Sequence, residues 1–258
     1  MNDMKVSIIT ASYNSAATIK QTIISVLQQT YTNIEYIIVD GYSTDNTLQI
    51  VKTMLPEFKG RLIYISEQDK GIYDAMNKGI RMATGDVVGI LNSDDYFTAH
   101  DVIEKMVESF TKDVDAVYGD VHFVREDDTT NCARYYSGAF FKPWLVKFGF
   151  IAPHPSFYIR KSIYEKYGLY DIKYKIAADF ELIARMCYIH KIRIKYLHQD
   201  FVTMRVGGAS TKNLRSRWIG LRETLQACND LGINTNILNI MMKYIIKIIS
   251  GLLIKNNF

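Results

Sequence analysis

The side chains of this chain best equipped for chemistry are carboxylates and hydroxyls that lie at, or just past, the ends of apolar runs. Thr10, Ser12 and Tyr13 close the run that starts at Val6; Asp40 follows Ile34–Val39; Asp69 follows Arg61–Ile65; Asn92-Ser93-Asp94-Asp95 follows Val87–Leu91. The adjacent Asp94 and Asp95 offer hard oxygen ligands to a divalent cation. Tyr13 can lie against a base, and a carboxylate in a neighbouring loop can accept from a base N–H or a ribose hydroxyl. Together they describe a pocket for a nucleotide whose diphosphate is neutralised by metal bound at Asp94. Taken alone, Asp94-Asp95 reads as well as a turn with an N-cap for the helix that follows. Neither GxGxxG nor GxxxxGK[ST] occurs, so a dinucleotide fold and a P-loop are both unsupported.

What must position these groups is a sheet. Val87–Leu91 is apolar apart from Gly89, as a strand buried on both faces requires. Val6–Ala11, Ile34–Val39 and Arg61–Ile65 read the same way. Helices are expected between them, over about 16–29 with Ser15 as cap, about 46–55 ended by Pro56, and about 72–83 closed by Gly85. Strands alternating with helices over short connections predict an α/β fold, with a mostly parallel sheet and helices on both faces. Ligands bind at the carboxyl ends of such strands, which brings the four polar loops to one rim.

After a helix over about 101–110 the rhythm changes. Ala116–Val124 and Cys132–Tyr136 are strand-like with no helix between, which predicts an antiparallel addition. Gly149–Ser156 is a loop held extended by Pro153 and Pro155, with His154 between them as a candidate acceptor contact or a structural histidine. Phe157–Arg160 and Phe201–Val206 read as strands; helices are expected from Ile176 to about His190 and from about Leu214 to Leu231. One domain over 1–210 with a helical segment over 211–258 is the expected organisation.

At 258 residues and 48% hydrophobic, the chain can build a substantial core and is not disordered. Its three cysteines, Cys132, Cys187 and Cys228, form no metal pattern; buried small side chains in a reducing compartment are expected. No cleavable signal precedes the first strand, so a cytoplasmic location is expected. From Arg205 onward there are eight Lys/Arg against two Asp/Glu, so the net +4 belongs to the tail. Asn239, Lys243, Lys247 and Ser250 mark one polar face of an amphipathic helix over about 236–255. That pattern favours a helix lying on an anionic membrane surface over nucleic acid, with packing on this protein or a second subunit as the plainer reading.

Val6–Asn14, Val39–Asp45 and Leu91–Asp95, in that order, resemble the signature blocks of glycosyltransferase family 2, and the resemblance covers about residues 5–210. It implies a GT-A fold with a Rossmann-like sheet, a nucleotide-sugar donor, a divalent cation (Mn or Mg) and transfer with inversion. Ser66–Gly79 further resembles bacterial members that build capsule, O-antigen or exopolysaccharide units, which implies a glycan or lipid-linked acceptor. By the same resemblance Asp40 matches a carboxylate that binds uracil, Asp69 a second nucleoside contact, and Asp94 the metal ligand of the DxD motif. Asp95 is a loop support or sugar contact, Asp179 the base, and Arg205 or Lys212 a phosphate contact.

The chain departs from the family pattern at Asn92, the first DxD position, and at Ala178, where the family's ED motif begins with an acid. Arg205–Ser210 lacks the histidine that many relatives use as an extra metal ligand, and no QxxRW is present, which favours addition of one sugar over polymerisation. From the residues alone Asp179 reads as a helix N-cap. Two rivals remain open: a sugar nucleotidyltransferase, and a donor-binding scaffold subunit without catalysis.

Overall fold

The computed structural model describes residues 4–125, 127–207 and 214–242. The expected Lys212 and the polar positions Lys243, Lys247 and Ser250 lie outside the described residues. The first half runs β1 (Val6–Ser12), α1 (Ile19–Leu27), β2 (Ile34–Asp40), α2 (Thr47–Met54), β3 (Leu62–Ser66), α3 (Ile72–Met82) and β4 (Val87–Ile90). The second continues with β5 (Tyr96–Phe97), α4 (Val102–Glu108), β6 (Ala116–Val124), β7 (Cys132–Tyr136), β8 (Tyr158–Arg160), α5 (Lys161–Tyr167), α6 (Ala178–Ala184), β9 (Ile194–Arg205) and α7 (Leu214–Asp230). One sheet holds them in the order β3-β2-β1-β4-β8-β6-β9-β5, with β7 on β6.

β1 to β4 are mutually parallel where they pair. β8 lies antiparallel between β4 and β6 and joins the two halves. Side chains alternate between two cores. Ile9, Ile37, Val39, Val88 and Ile90 face the core built with α3 and α6. Val6, Ile8, Tyr36, Ile38 and Leu91 face the one built with α1 and α4. Burial on both faces is why these strands read as unbroken apolar runs.

Close approach in the centre depends on two glycines. A Cβ on Gly89 would lie 2.0 Å from Cε1 of Tyr158 on β8, and one on Gly79 of α3 would lie 2.4 Å from Cγ2 of Ile9. Neither space exists, so β8 and α3 sit against β4 and β1 only because these positions lack side chains.

Several expectations need correction. α1 begins at Ile19 with Thr18 as its cap, not after Ser15; the Ser15 and Ala16 N–H groups donate to Thr47 and Asp45. β9 begins at Ile194 rather than at Phe201; Lys195, His198 and Asp200 break the apolar pattern that would have announced it. It runs parallel to β6, while β7 is the antiparallel addition expected there. β5 was not anticipated, since a two-residue strand has no period to detect. α6 gives way to a π turn at Arg185–Ile189. Cys187 and Cys228 are buried as expected; Cys132 is exposed.

α7, the first helix of the expected appendage, buries Ala227 and Cys228 in the same core as α3 and α6. Another helix starts at 237, with Ile240 buried and Leu238, Met241 and Met242 exposed. Among the described residues no helix is long and apolar enough to cross a membrane.

The Gly89–Tyr158 contact generates a test. Gly89→Ala must displace the Tyr158 ring and should destabilise the protein by about 1–3 kcal/mol in urea unfolding. An unchanged midpoint would show that β8 yields freely.

Candidate functional site

Asp40 ends β2 and is 0% exposed. Its Oδ1 accepts from the Ser12 hydroxyl at 3.2 Å and from the Ser43 hydroxyl; its Oδ2 accepts from the Ser43 N–H at 2.9 Å and the Ser66 hydroxyl at 2.8 Å. A buried carboxylate must be met this way, and here its partners come from the ends of β1 and β3 and from its own loop. Asp40 thus ties three strand ends together. Next to it, a Cβ on Gly41 would lie 2.4 Å from Oδ2 of Asp69, so the Asp69 carboxylate rests against the Gly41 backbone. Asp69 also accepts from the Gly71 N–H at 2.8 Å, just ahead of α3.

Just past β1, Tyr13 is 62% exposed and Tyr42 is equally open, while Thr10 within β1 is 0% exposed. The Thr10 hydroxyl donates to the Leu91 carbonyl at 2.7 Å, so it braces β1 against β4 inside the core rather than facing the rim. The Asn14 N–H donates to Ser43 Oγ, and Asn14 Oδ1 accepts from the Thr44 N–H, which locks the Tyr13 and Tyr42 loops to each other. Tyr42, held at φ 67°, is a rim residue the sequence reading missed.

The β4 loop joins this rim through Ser93, whose Oγ lies 2.9 Å from Ser15 Oγ. α4 starts only at Val102, so neither Asp94 nor Asp95 caps a helix. Asp95 is 1% exposed and accepts from Asn92 Nδ2 at 2.9 Å, as the loop-support alternative expects. Burial, and then the neighbouring Asp94 charge, push the Asp95 carboxyl up to about 8. Burial also pushes Asp94 up, and the Arg205 charge opposes it. Arg205 is tied to Gln21 and lies over the Tyr96 ring, with its Nε buried and unpartnered.

These features fit a divalent cation. Asn92 gives its amide N–H to Asp95, which leaves Asn92 Oδ1 buried with no partner. Beside it is a carboxylate pair whose charge the protein alone compensates poorly. A neutral amide oxygen and Asp94 are acceptable hard ligands, and most of the shell would come from diphosphate and water. No cluster of three His, Cys, Asp or Glu able to hold a metal occurs among the described residues.

Asp179 enters from the other half of the chain. Ala177, not Asp179, is the cap of α6; Asp179 Oδ1 accepts from the Phe180 N–H at 2.7 Å and faces the Tyr73 hydroxyl at 3.4 Å. Tyr73 lies in the first turn of α3, so the helix that follows the Asp69 loop is the one that meets Asp179. Tyr73 stacks on Tyr170, whose hydroxyl is 3.1 Å from His154 Nε2. Burial holds the His154 imidazole below its ordinary range, with Asp179 opposing. Ala178, where the family motif carries an acid, is 0% exposed, and Glu181 is paired with Arg185 at 2.7 Å. Asp179 is therefore the half-buried acid of this segment that is not paired with a cation. Tyr73 and Tyr170 were missed as individuals because aromatic residues at helix and loop positions read as core.

The raised Asp95 sets a pH dependence. Its folded pKa lies above its unfolded one, so its contribution to stability is full below about 4 and is lost as pH rises through about 8. With a chelator present, Asp95→Asn should flatten the fall in urea stability between pH 6 and 8.5. Parallel pH profiles for variant and wild type would refute the assignment.

Comparisons with known proteins bear on the family and the fold. The model described as Glycosyl transferase family 2 matches residues 7–168. A PGL/p-HBAD biosynthesis glycosyltransferase of Mycobacterium tuberculosis is 32% identical over 194 residues, covering 74% of this chain and 73% of the relative. Among solved structures, S. aureus TarS 1-349 in complex with UDP-GlcNAc superposes with TM-score 0.67 at 19% identity, covering 87% of this chain and 66% of that one. The mannosyltransferase PcManGT of Pyrobaculum calidifontis, in complex with GDP-Man and Mn2+, gives TM-score 0.64 at 20% identity, covering 90% and 65%. This chain spans only 39% of the longer TarS chain. Sequence and fold together show that the chain belongs to glycosyl transferase family 2 and is a glycosyltransferase with a GT-A fold.

Proposed function

We propose that this enzyme transfers a sugar, with inversion, from a UDP-sugar to a growing surface glycan on a lipid-linked acceptor. The observation that carries the reading is the bonded rim. Its bonded loops hold a carboxylate pair in need of a cation, at Asp94 and Asp95, and α3, which follows the Asp69 loop, meets a half-buried carboxylate, Asp179, from a different part of the chain through Tyr73.

In this reading Tyr13, Ser12, Asp40 and Asp69 form the nucleoside end, with Asp40 acting mainly through the loops it gathers. Ser93 and Arg205 line the diphosphate. Asn92 and Asp94 would hold Mn or Mg, which supplies charge neutralisation to the departing diphosphate. Asp179 takes the proton of the acceptor hydroxyl as that oxygen bonds to the anomeric carbon; the bond to phosphate breaks and UDP leaves with its electron pair. Tyr73, whose hydroxyl lies 3.4 Å from Asp179 Oδ1, borders the carboxylate. His154, kept neutral by burial, borders the acceptor side. The choice of uridine is supported by TarS, solved with UDP-GlcNAc, and the choice of Mn by PcManGT. A cytoplasmic, membrane-surface location is supported by the basic tail and by the exposed Leu238, Met241 and Met242.

Calorimetry with UDP and GDP, in Mn or chelator, tests the donor site. UDP should bind only with metal, and Asp94→Ala should abolish binding; no nucleotide binding with metal present would sink the reading, and preference for GDP would change the donor. Asp179→Asn should keep UDP binding and lower turnover of a matched donor and acceptor by about 10²- to 10⁴-fold. Donor binding without turnover in wild type, across an acceptor screen, would instead favour the scaffold role. Co-sedimentation should be stronger with anionic than with neutral vesicles; equal binding to neither would remove the membrane assignment.

A further inference from the structure

We propose that Glu223 on α7 is a positioning residue for Asp179, a role that rests on the reading of Asp179 as the base. The Glu223 carboxylate accepts three backbone N–H groups from consecutive residues. Oε1 takes Lys175 at 3.0 Å, and Oε2 takes Ile176 at 2.8 Å and Ala177 at 3.0 Å. These residues lead directly into α6, and Ala177, its cap, has no side chain with which to meet a donor. Three N–H groups converging on one carboxylate make charge-assisted bonds at the positive end of the helix, where a negative group is favoured.

The opposite side of the same peptide is held as well. The Tyr73 hydroxyl donates to the Ile176 carbonyl at 2.7 Å and lies 3.4 Å from Asp179 Oδ1. The Ile176 backbone is thus clamped between α7, through its N–H, and α3, through its C=O. Asp179 follows within one turn.

α7 is shaped for this approach. Gly220, Glu223, Ala227 and Asp230 recur at helical spacing on one face. A Cβ on Gly220 would lie 3.3 Å from Ile176 Cγ2, and Asp230 accepts from the Tyr174 hydroxyl at 2.6 Å. Two acids of one helix therefore bracket the segment Tyr174–Ala177, and only Glu223 reaches the backbone that carries the base. A glutamine keeps the reach and one acceptor oxygen but brings an N–H₂ against the remaining N–H groups. An alanine leaves all three donors unmet.

The test uses the full chain and two readouts. Amide hydrogen exchange in Glu223→Ala should quicken over residues 175–181, including Asp179 and Phe180, while β1 to β4 keep wild-type protection. UDP affinity in Mn should be unchanged. With UDP-GlcNAc as donor and water as acceptor, kcat should fall about 10- to 100-fold with KM for the donor unchanged. Glu223→Gln should fall between. Exchange that quickens only at 175–177, exchange that rises equally through the sheet, or wild-type kcat in folded Glu223→Ala would each overturn the proposal. If hydrolysis is too slow to follow, the exchange pattern decides. Asp179→Asn, measured alongside, separates the two layers: full turnover there removes the base assignment, whereas its loss beside wild-type turnover in Glu223→Ala removes only the positioning role.

Discussion

Burying carboxylate charge at the ends of parallel strands is the constraint on which the site depends. A desolvated carboxylate without donors is costly, so each one recruits hydroxyls and backbone N–H groups from whichever loops are in reach. Asp40 draws on Ser12, Ser43 and Ser66, and in doing so joins the ends of β1, β2 and β3. Asp69 then rests on the bare backbone of Gly41. The geometry of the rim is the product of these satisfied charges more than of the loops' own conformational preferences.

Where that satisfaction is incomplete, the site is ready for a ligand. Asp94 and Asp95 are desolvated side by side, Asn92 Oδ1 is buried without a partner, and Arg205 Nε is likewise unpartnered. Unmet groups of opposite sign in one low-dielectric corner have a common remedy in a cation with its diphosphate. The contrast with Asp40 is instructive: both are acids at strand ends, but one is saturated by protein donors and organises the loops, while the other awaits charge from outside.

The base side follows the same logic over a longer range. Asp179, His154, Tyr170 and Tyr73 form one polar cluster between α3, α6 and the His154 loop, and α7 closes it through Glu223. The two halves of the chain meet through β8, which can lie against β4 because Gly89 leaves room for the Tyr158 ring. A small residue in the sheet centre and an acid on the last described long helix thus both bear on how these segments are held.

How much of this was legible in the sequence differs by element. β1 to β4, α1 to α3 and the rim they share could be read because the strands are mostly apolar runs, the inner ones covered on both faces, and their polar ends stand out by contrast. The motif blocks identified the family and singled out Asp94 and Asp179. The start of β9, the two-residue β5, the exposure of Cys132 and the burial of Thr10 and Asp95 were not legible, because each depends on which neighbour covers it. Nor could spacing distinguish an Asp40 that gathers loops from an Asp94 left free for a ligand, or link Glu223 to residues 175–177. The sequence by itself determined which residues are apolar, which carry charge and in what order they alternate, and so the fold class and family. Tertiary structure alone decided which charges are saturated and which remain open, because desolvation and hydrogen bonding are set by contacts between segments far apart in the chain.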